Sequence, residues 1–143
     1  MRSEHEVFGR LFSLSNRLQS VGDRFLHPVS TKQWFLLACI QRFEPDLPSL
    51  SELVPVVGSS RQNIKQLALK LERMGFVRIS RDTGDSRVLR LALTERCRGY
   101  WEQRGERDAT FLRQLFAGID PQEIAAALRV LRAIEQNLEG VDT

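Results

Sequence analysis

"GSSRQNIKQLALKLERMGF", residues 58–76, is the stretch on which the reading of this chain turns. Wound as an α-helix at about 100° per residue, it puts Ile64, Leu67, Ala68 and Leu71 on one side. Gln62, Gln66, Leu69 and Arg73 gather on the other side, with Lys65 and Lys70 flanking them. The apolar side needs a core to pack against. The polar side is built from the residue types that read nucleic-acid grooves, since Gln pairs with adenine, Arg with guanine, and an exposed Leu touches a thymine methyl. An ordinary surface helix shows a similar division, so the flanking sequence decides its meaning.

On the N-terminal side, Ser49 with Glu52 forms a capping box that starts a short helix stopped by Gly58. Pro55 lies inside it past the first turn, where it removes a hydrogen bond and shortens or bends the helix. Ser59 with Gln62 repeats the box and opens the helix quoted above, which runs to about Met74 and is closed by Gly75. Two short helices joined by a Gly-containing turn form a helix-turn-helix. On the C-terminal side, "FVRIS" (76–80) and "VLRLAL" (88–93) alternate around the polar "RDTGDSR" (81–87), the pattern of a β-hairpin.

Farther out, residues 7–25 carry a helical apolar stripe that ends before Pro28. Ser30 and Gln33 cap a second helix over 31–42, with Val29 stapled onto Trp34. Thr94 and Glu95 begin a fifth helix reaching about Ala117. Asp120, Pro121 and Glu123 supply the N-cap, N1 proline and N3 acid of a last helix. The fold class is therefore mainly α: a winged helix-turn-helix with a small β-hairpin wing, carried by N- and C-terminal helices. A single domain is expected over 1–143, with a DNA-binding lobe at 31–93 and dimerisation helices at 1–26 and 94–143. A central lobe of this size cannot cover the stripes containing Phe8, Leu11, Leu115, Ile124, Leu128, Leu131 and Ile134, so a homodimer is expected to bury them.

Charge supports the same assignment. The chain carries a net +3, yet residues 58–90 hold eight basic and three acidic side chains, so the rest of the chain is slightly acidic. A basic segment within an acidic chain fits a surface that meets a polyanion. The expected double-stranded DNA contacts are Ser60, Arg61, Gln62, Asn63, Lys65, Gln66, Lys70 and Arg73 on the helix, with Arg81, Asp85 and Arg87 on the wing. Ser59 is assigned to the cap and Ser60 to backbone contact; Arg61 suits either a base edge or a phosphate. Arg87 at a hairpin tip fits a narrow minor groove, while Asp85 either holds an Arg fork or shapes the turn with Gly84.

Residues 47–95, "LPSLSELVPVVGSSRQNIKQLALKLERMGFVRISRDTGDSRVLRLALTE", resemble the DNA-binding lobe of the MarR family of bacterial transcription regulators. The most specific features are the "LERMGFV" end of the recognition helix and the wing pattern Asp-x-x-Asp-x-Arg (Asp82, Asp85, Arg87) followed by "LALTE". With the outer helices, the resemblance covers nearly the whole chain. It implies a homodimer on a pseudo-palindromic operator, with a recognition helix in each major groove and a wing Arg in each minor groove. It also implies a repressor released by a small-molecule inducer, often aromatic or phenolic, bound between the dimer arms and the DNA lobe. For such a ligand the candidates are Phe12, His27, Trp34, Arg42 and Trp101.

The alternatives are a non-switching winged-helix module and a Cys-based redox regulator. Peroxide-sensing relatives place a Cys in the first helix, where this chain has none. Cys39 lies in an apolar run, and Cys97 between Arg96 and Arg98 would be activated only if exposed. No Gly-rich phosphate loop, metal-ligand spacing or placed nucleophile suggests an enzyme, so no metal or cofactor is expected. No apolar run reaches the ~20 residues of a membrane span, and the charged N-terminus does not resemble a secretory signal, so a cytoplasmic protein is expected.

Overall fold

The computed structural model describes residues 2–141, in the order α1 (Arg2–Phe25), α2 (Thr31–Gln41), α3 (Leu50–Val57), α4 (Arg61–Arg73), β1 (Val77–Arg81), β2 (Leu89–Leu93), α5 (Glu95–Leu115) and α6 (Pro121–Val141). They form two compact units, one up to Trp101 and one from Glu102 onward.

In the first unit, Leu36, Leu37 and Ile40 of α2, Leu53 of α3, Ile64, Ala68 and Leu71 of α4, and Leu91 of β2 make one buried core. The wheel of α4 is thus realised, with Ile64, Ala68 and Leu71 inside, Leu67 half-buried, and Gln62, Gln66 and Arg73 outside. The wing is an antiparallel pair in which Val77 opposes Leu93 and Ile79 opposes Leu91, placing alternate residues in the core. Leu91 N–H also donates to Pro48 O (3.0 Å), so the base of the wing pairs with the segment that leads into α3.

Both predicted capping boxes of α2 and α3 are present: Ser30 with Gln33, and Ser49 with Glu52. Pro55 is accommodated in an α3 of only eight residues, and Gly58 ends it at φ 75°. The third predicted box is displaced. Ser60, not Ser59, caps α4, its hydroxyl accepting from Asn63 N–H (3.1 Å), so the helix starts at Arg61 and Gln62 lies one position too early to complete a box. At the other end, Phe76 N–H donates to Leu71 O and Gly75 N–H to Glu72 O, both 2.9 Å, with Gly75 at φ 82°. That is a Schellman closure, and its left-handed residue is best filled by Gly. The first helix starts at Arg2 rather than near residue 7, β1 lies one residue later at both ends, β2 starts one residue later, and α5 ends at Leu115 rather than about Ala117.

In the second unit, α6 opens as expected, with Asp120 Oδ1 accepting from Gln122 N–H (2.8 Å) ahead of Pro121. None of its 21 residues is buried. Among the described residues no helix is long and apolar enough to cross a membrane.

Candidate nucleic-acid interface

The exposed face of α4 and the wing enclose a cleft of about 540 Å³ lined by Arg61, Gln62 and Lys65 of α4, Arg81 and Arg87 of the wing, and the apolar Leu50 and Leu89. Five of the eleven predicted contact residues therefore converge on one cleft, four of them cationic. Each is placed by local chemistry. Ser60 satisfies one orphan N–H of α4 and leaves the rest of its first turn facing outward. Lys70 and Arg73 occupy the last turn, where cations complement the helix dipole.

The wing tip is held by its carboxylates. Asp82 Oδ2 accepts from Gly84 N–H and Asp85 N–H, both 3.0 Å, which folds the turn. Asp85 accepts from the backbone N–H of Arg87 (3.0 Å) and from its fork, at 3.1 Å from Nε and 3.2 Å from Nη2. Asp85 thus does both things the sequence left open, shaping the turn and orienting an Arg. The Arg87 side chain remains 89% exposed, a guanidinium aimed but unburied. Hydrogen bonding from Arg87 holds the Asp85 carboxyl below its ordinary pKa. Arg81 Nη1 donates to Ser86 O (2.7 Å), tying the wing's two sides.

Two residues to which sequence reasoning assigned no role position the wing against the helices. Arg90 donates from Nε to Asp82 (2.9 Å) and from Nη1 to Glu52 (2.9 Å) and Leu47 O (3.1 Å). One guanidinium therefore joins the wing tip to the capping box of α3. The Asp82 pKa is lowered chiefly by Arg90; that of Glu52 is lowered first by the Ser49 N–H and only then by Arg90. Glu72 on α4 accepts from Ile79 N–H of β1 (2.9 Å) and fixes the recognition helix to the base of the wing. The Arg at position 90 was visible as a charge. Its partners lie 8 to 43 residues away and are set by tertiary register, which local spacing does not carry.

Arg90→Ala is expected to loosen the wing while leaving the core folded. Because both carboxyl pKa values are lowered, the clamp is complete above the ordinary carboxylate pKa and weakens as pH falls through the lowered, folded-state values. Faster amide exchange at Gly84, Asp85 and Arg87, with α2 and α4 still protected, is the expected observation; unaltered wing protection would show that Arg90 does not hold it.

The remaining predicted contacts lie on the same exposed surfaces: Asn63, Gln66, Lys70 and Arg73 are all exposed. None of the five ligand candidates lines the cleft between α4 and the wing. Trp34 and Trp101 are half-buried against the core, His27 and Arg42 are exposed, and Phe12 packs edge-on against Phe8 at 5.1 Å on the open face of α1. Of the residues expected at a dimer contact, Phe8, Leu115, Leu128 and Leu131 are exposed, and Leu11, Ile124 and Ile134 are half-buried. Cys97 is buried, so the exposure its activation required is missing; desolvation pushes its thiol up to about 11 despite the nearby Arg98. Cys39 is buried and shifted the same way, by desolvation.

Residues 29–89 match the model of the MarR family. Across 99% of its length, the chain is 25% identical to the transcriptional activatory protein BadR of Rhodopseudomonas palustris, covering 83% of that protein. Among solved structures it superposes with TM-score 0.84 on Sco3205 of Streptomyces coelicolor in complex with DNA, a MarR family transcriptional regulator, at 18% identity over 96% of this chain and 89% of the other. It superposes with TM-score 0.75 on BpsR of Bordetella bronchiseptica, whose DNA binding is regulated by 6-hydroxynicotinic acid, at 18% identity over 90% and 91%. At these identities the superpositions establish the shared fold.

Proposed function

We propose, from the match of residues 29–89 to the MarR family model, that the chain is a winged-helix regulator of that family, a sequence-specific DNA-binding transcription regulator acting as a homodimer. The observation that carries this reading is the convergence of Arg61, Gln62 and Lys65 from α4 with Arg81 and Arg87 from the wing on one exposed, cationic cleft. In the proposed complex α4 lies in a major groove with Gln62 and Gln66 at base edges, and the wing reaches the adjacent minor groove through Arg87. Lys65, Lys70 and Arg73 neutralise phosphates. The lobe at 31–93 performs this reading. The apolar residues left open on α1 and on α6 are covered by a second copy, which presents two lobes to a pseudo-palindromic operator.

The regulator is a repressor where its operator overlaps a promoter, and a small aromatic or phenolic inducer releases it. BpsR supports ligand control of DNA binding within this fold. BadR favours a second reading, activation, and the two differ in where the operator lies rather than in how it is read. A reporter driven by the upstream DNA separates them: deleting the gene raises expression under repression and lowers it under activation.

Selection from a randomised duplex library tests the core of the proposal, with an inverted repeat as the expected product. Gln66→Ala is then expected to relax preference at one base per half-site by ~1–3 kcal/mol. An unaltered preference at every position would remove Gln66 from the reading face.

A further inference from the structure

The chain uses lysine at only three of its 21 basic positions, and all three stand around the recognition helix. Lys65 and Lys70 lie on the outer face of α4, and Lys32 of α2 faces Lys70 across a groove. All three are exposed, and among the described residues none forms an ion pair. Every other basic residue is an arginine. A guanidinium stays protonated and does not react with acyl donors, whereas the neutral form of a lysine amine does. Acylation of lysine side chains in this chain therefore falls on or beside the surface proposed to read DNA.

We propose that Lys65 is a modification site at which a small acyl phosphate transfers its acyl group, and that acylation of Lys65 switches DNA binding off. The switch rests on the DNA-reading role proposed for α4; the modification site itself does not.

Lys65 is singled out by its surroundings. It lines the cleft of about 540 Å³ together with Arg61, Arg81 and Arg87, and neither Lys32 nor Lys70 does. Three guanidiniums around one cleft hold the phosphate of an acyl phosphate and neutralise the charge that builds on it as it leaves. The wing keeps two of them in place, Arg81 by its bond to Ser86 O and Arg87 by its bonds to Asp85. Leu50 and Leu89 give the cleft an apolar margin for a short acyl chain.

In the transfer, the unprotonated Lys65 Nζ attacks the acyl carbonyl carbon. The new C–N bond forms and the bond from that carbon to the phosphate oxygen breaks. Inorganic phosphate leaves with the bonding pair, and the surplus proton on nitrogen passes to water. The product is a neutral amide in the same cleft, so the interface loses one cation and gains bulk beside Gln62. The fold is undisturbed, because the modified side chain is exposed. DNA and the acyl donor compete for the same guanidiniums, so bound DNA protects Lys65.

The test incubates the full chain with acetyl phosphate and follows each lysine by peptide mass mapping. Lys65 is expected to acetylate about 10-fold or more faster than Lys32 and Lys70, the gain from holding the donor beside the amine. Inorganic phosphate and Arg81→Gln should each reduce that lead. Acetic anhydride, which carries no phosphate, is expected to label the three lysines at comparable rates. Equal rates with acetyl phosphate, a lead that survives both changes, or the same preference with the anhydride would overturn the site. In the second arm, the chain acetylated at Lys65 is expected to bind its upstream duplex about 10-fold more weakly, the cost of one charge-assisted contact, with a salt slope lower by about one per protomer. Lys65→Arg, compared before and after the same treatment, should lose no affinity. Unchanged affinity of the acetylated chain, or an equal loss in Lys65→Arg, would overturn the switch. If the untreated chain binds no duplex, the DNA reading and the switch fall together, while the labelling rates still decide the site.

Discussion

Arg87→Ala is expected to weaken binding to the operator duplex by about 10- to 100-fold, the range for losing one bidentate groove contact. The effect is large because the wing invests so much in this one side chain. Asp82 folds the turn through two backbone N–H groups, and Asp85 then grips both the backbone and the fork of Arg87. A guanidinium so oriented loses little conformational freedom on entering a narrow groove. The same substitution should leave folding nearly untouched, since the side chain is 89% exposed and exposed ion pairs contribute little. It should also lower the salt dependence of binding by about one released counterion. Fluorescence anisotropy over a salt series measures both quantities, and sedimentation checks that the dimer persists. Unchanged affinity with an unchanged salt slope would remove the wing from the interface.

Leu71→Ala carries the largest expected cost in stability, about 2–5 kcal/mol, because it opens a cavity in a packed core. Leu71 is fully buried on the inner side of α4, and its carbonyl also accepts the Schellman bond from Phe76. It packs in the same core as Leu36, Leu53 and Leu91, so its truncation loosens α4 against α2, α3 and the wing together. A domain typically holds only ~5–15 kcal/mol of net stability, so a loss of this size brings the lobe close to unfolding. Urea unfolding gives the value directly. A loss under about 1 kcal/mol would mean that the core collapses around the deletion and that α4 is held mainly by its caps and by Glu72.

Much of this architecture was legible because it is written in local chemistry. The boxes of Ser30 with Gln33 and Ser49 with Glu52 depend on a three-residue spacing, and both formed as read. The inner face of α4 depends on a 3.6-residue period, and Ile64, Ala68 and Leu71 obeyed it. The cap of α4 was misread by one residue because two adjacent serines offer the same hydroxyl. The turn after Gly58 chose Ser60, and a Gln in the N3 position of the alternative box was not enough to override it. Arg90 was counted as charge and given no role, since its anchors at Leu47, Glu52 and Asp82 meet only after the wing docks on α3.

The most direct measurement is binding of the purified chain to DNA from upstream of its own gene, against a scrambled duplex of equal length, across a salt series. An operator-reading dimer is expected to prefer the upstream DNA by ~10³-fold or more and to keep that preference at moderate salt, because base contacts add to the phosphate attraction. Equal and steeply salt-sensitive binding to both duplexes, or no binding to either at low salt, would contradict it.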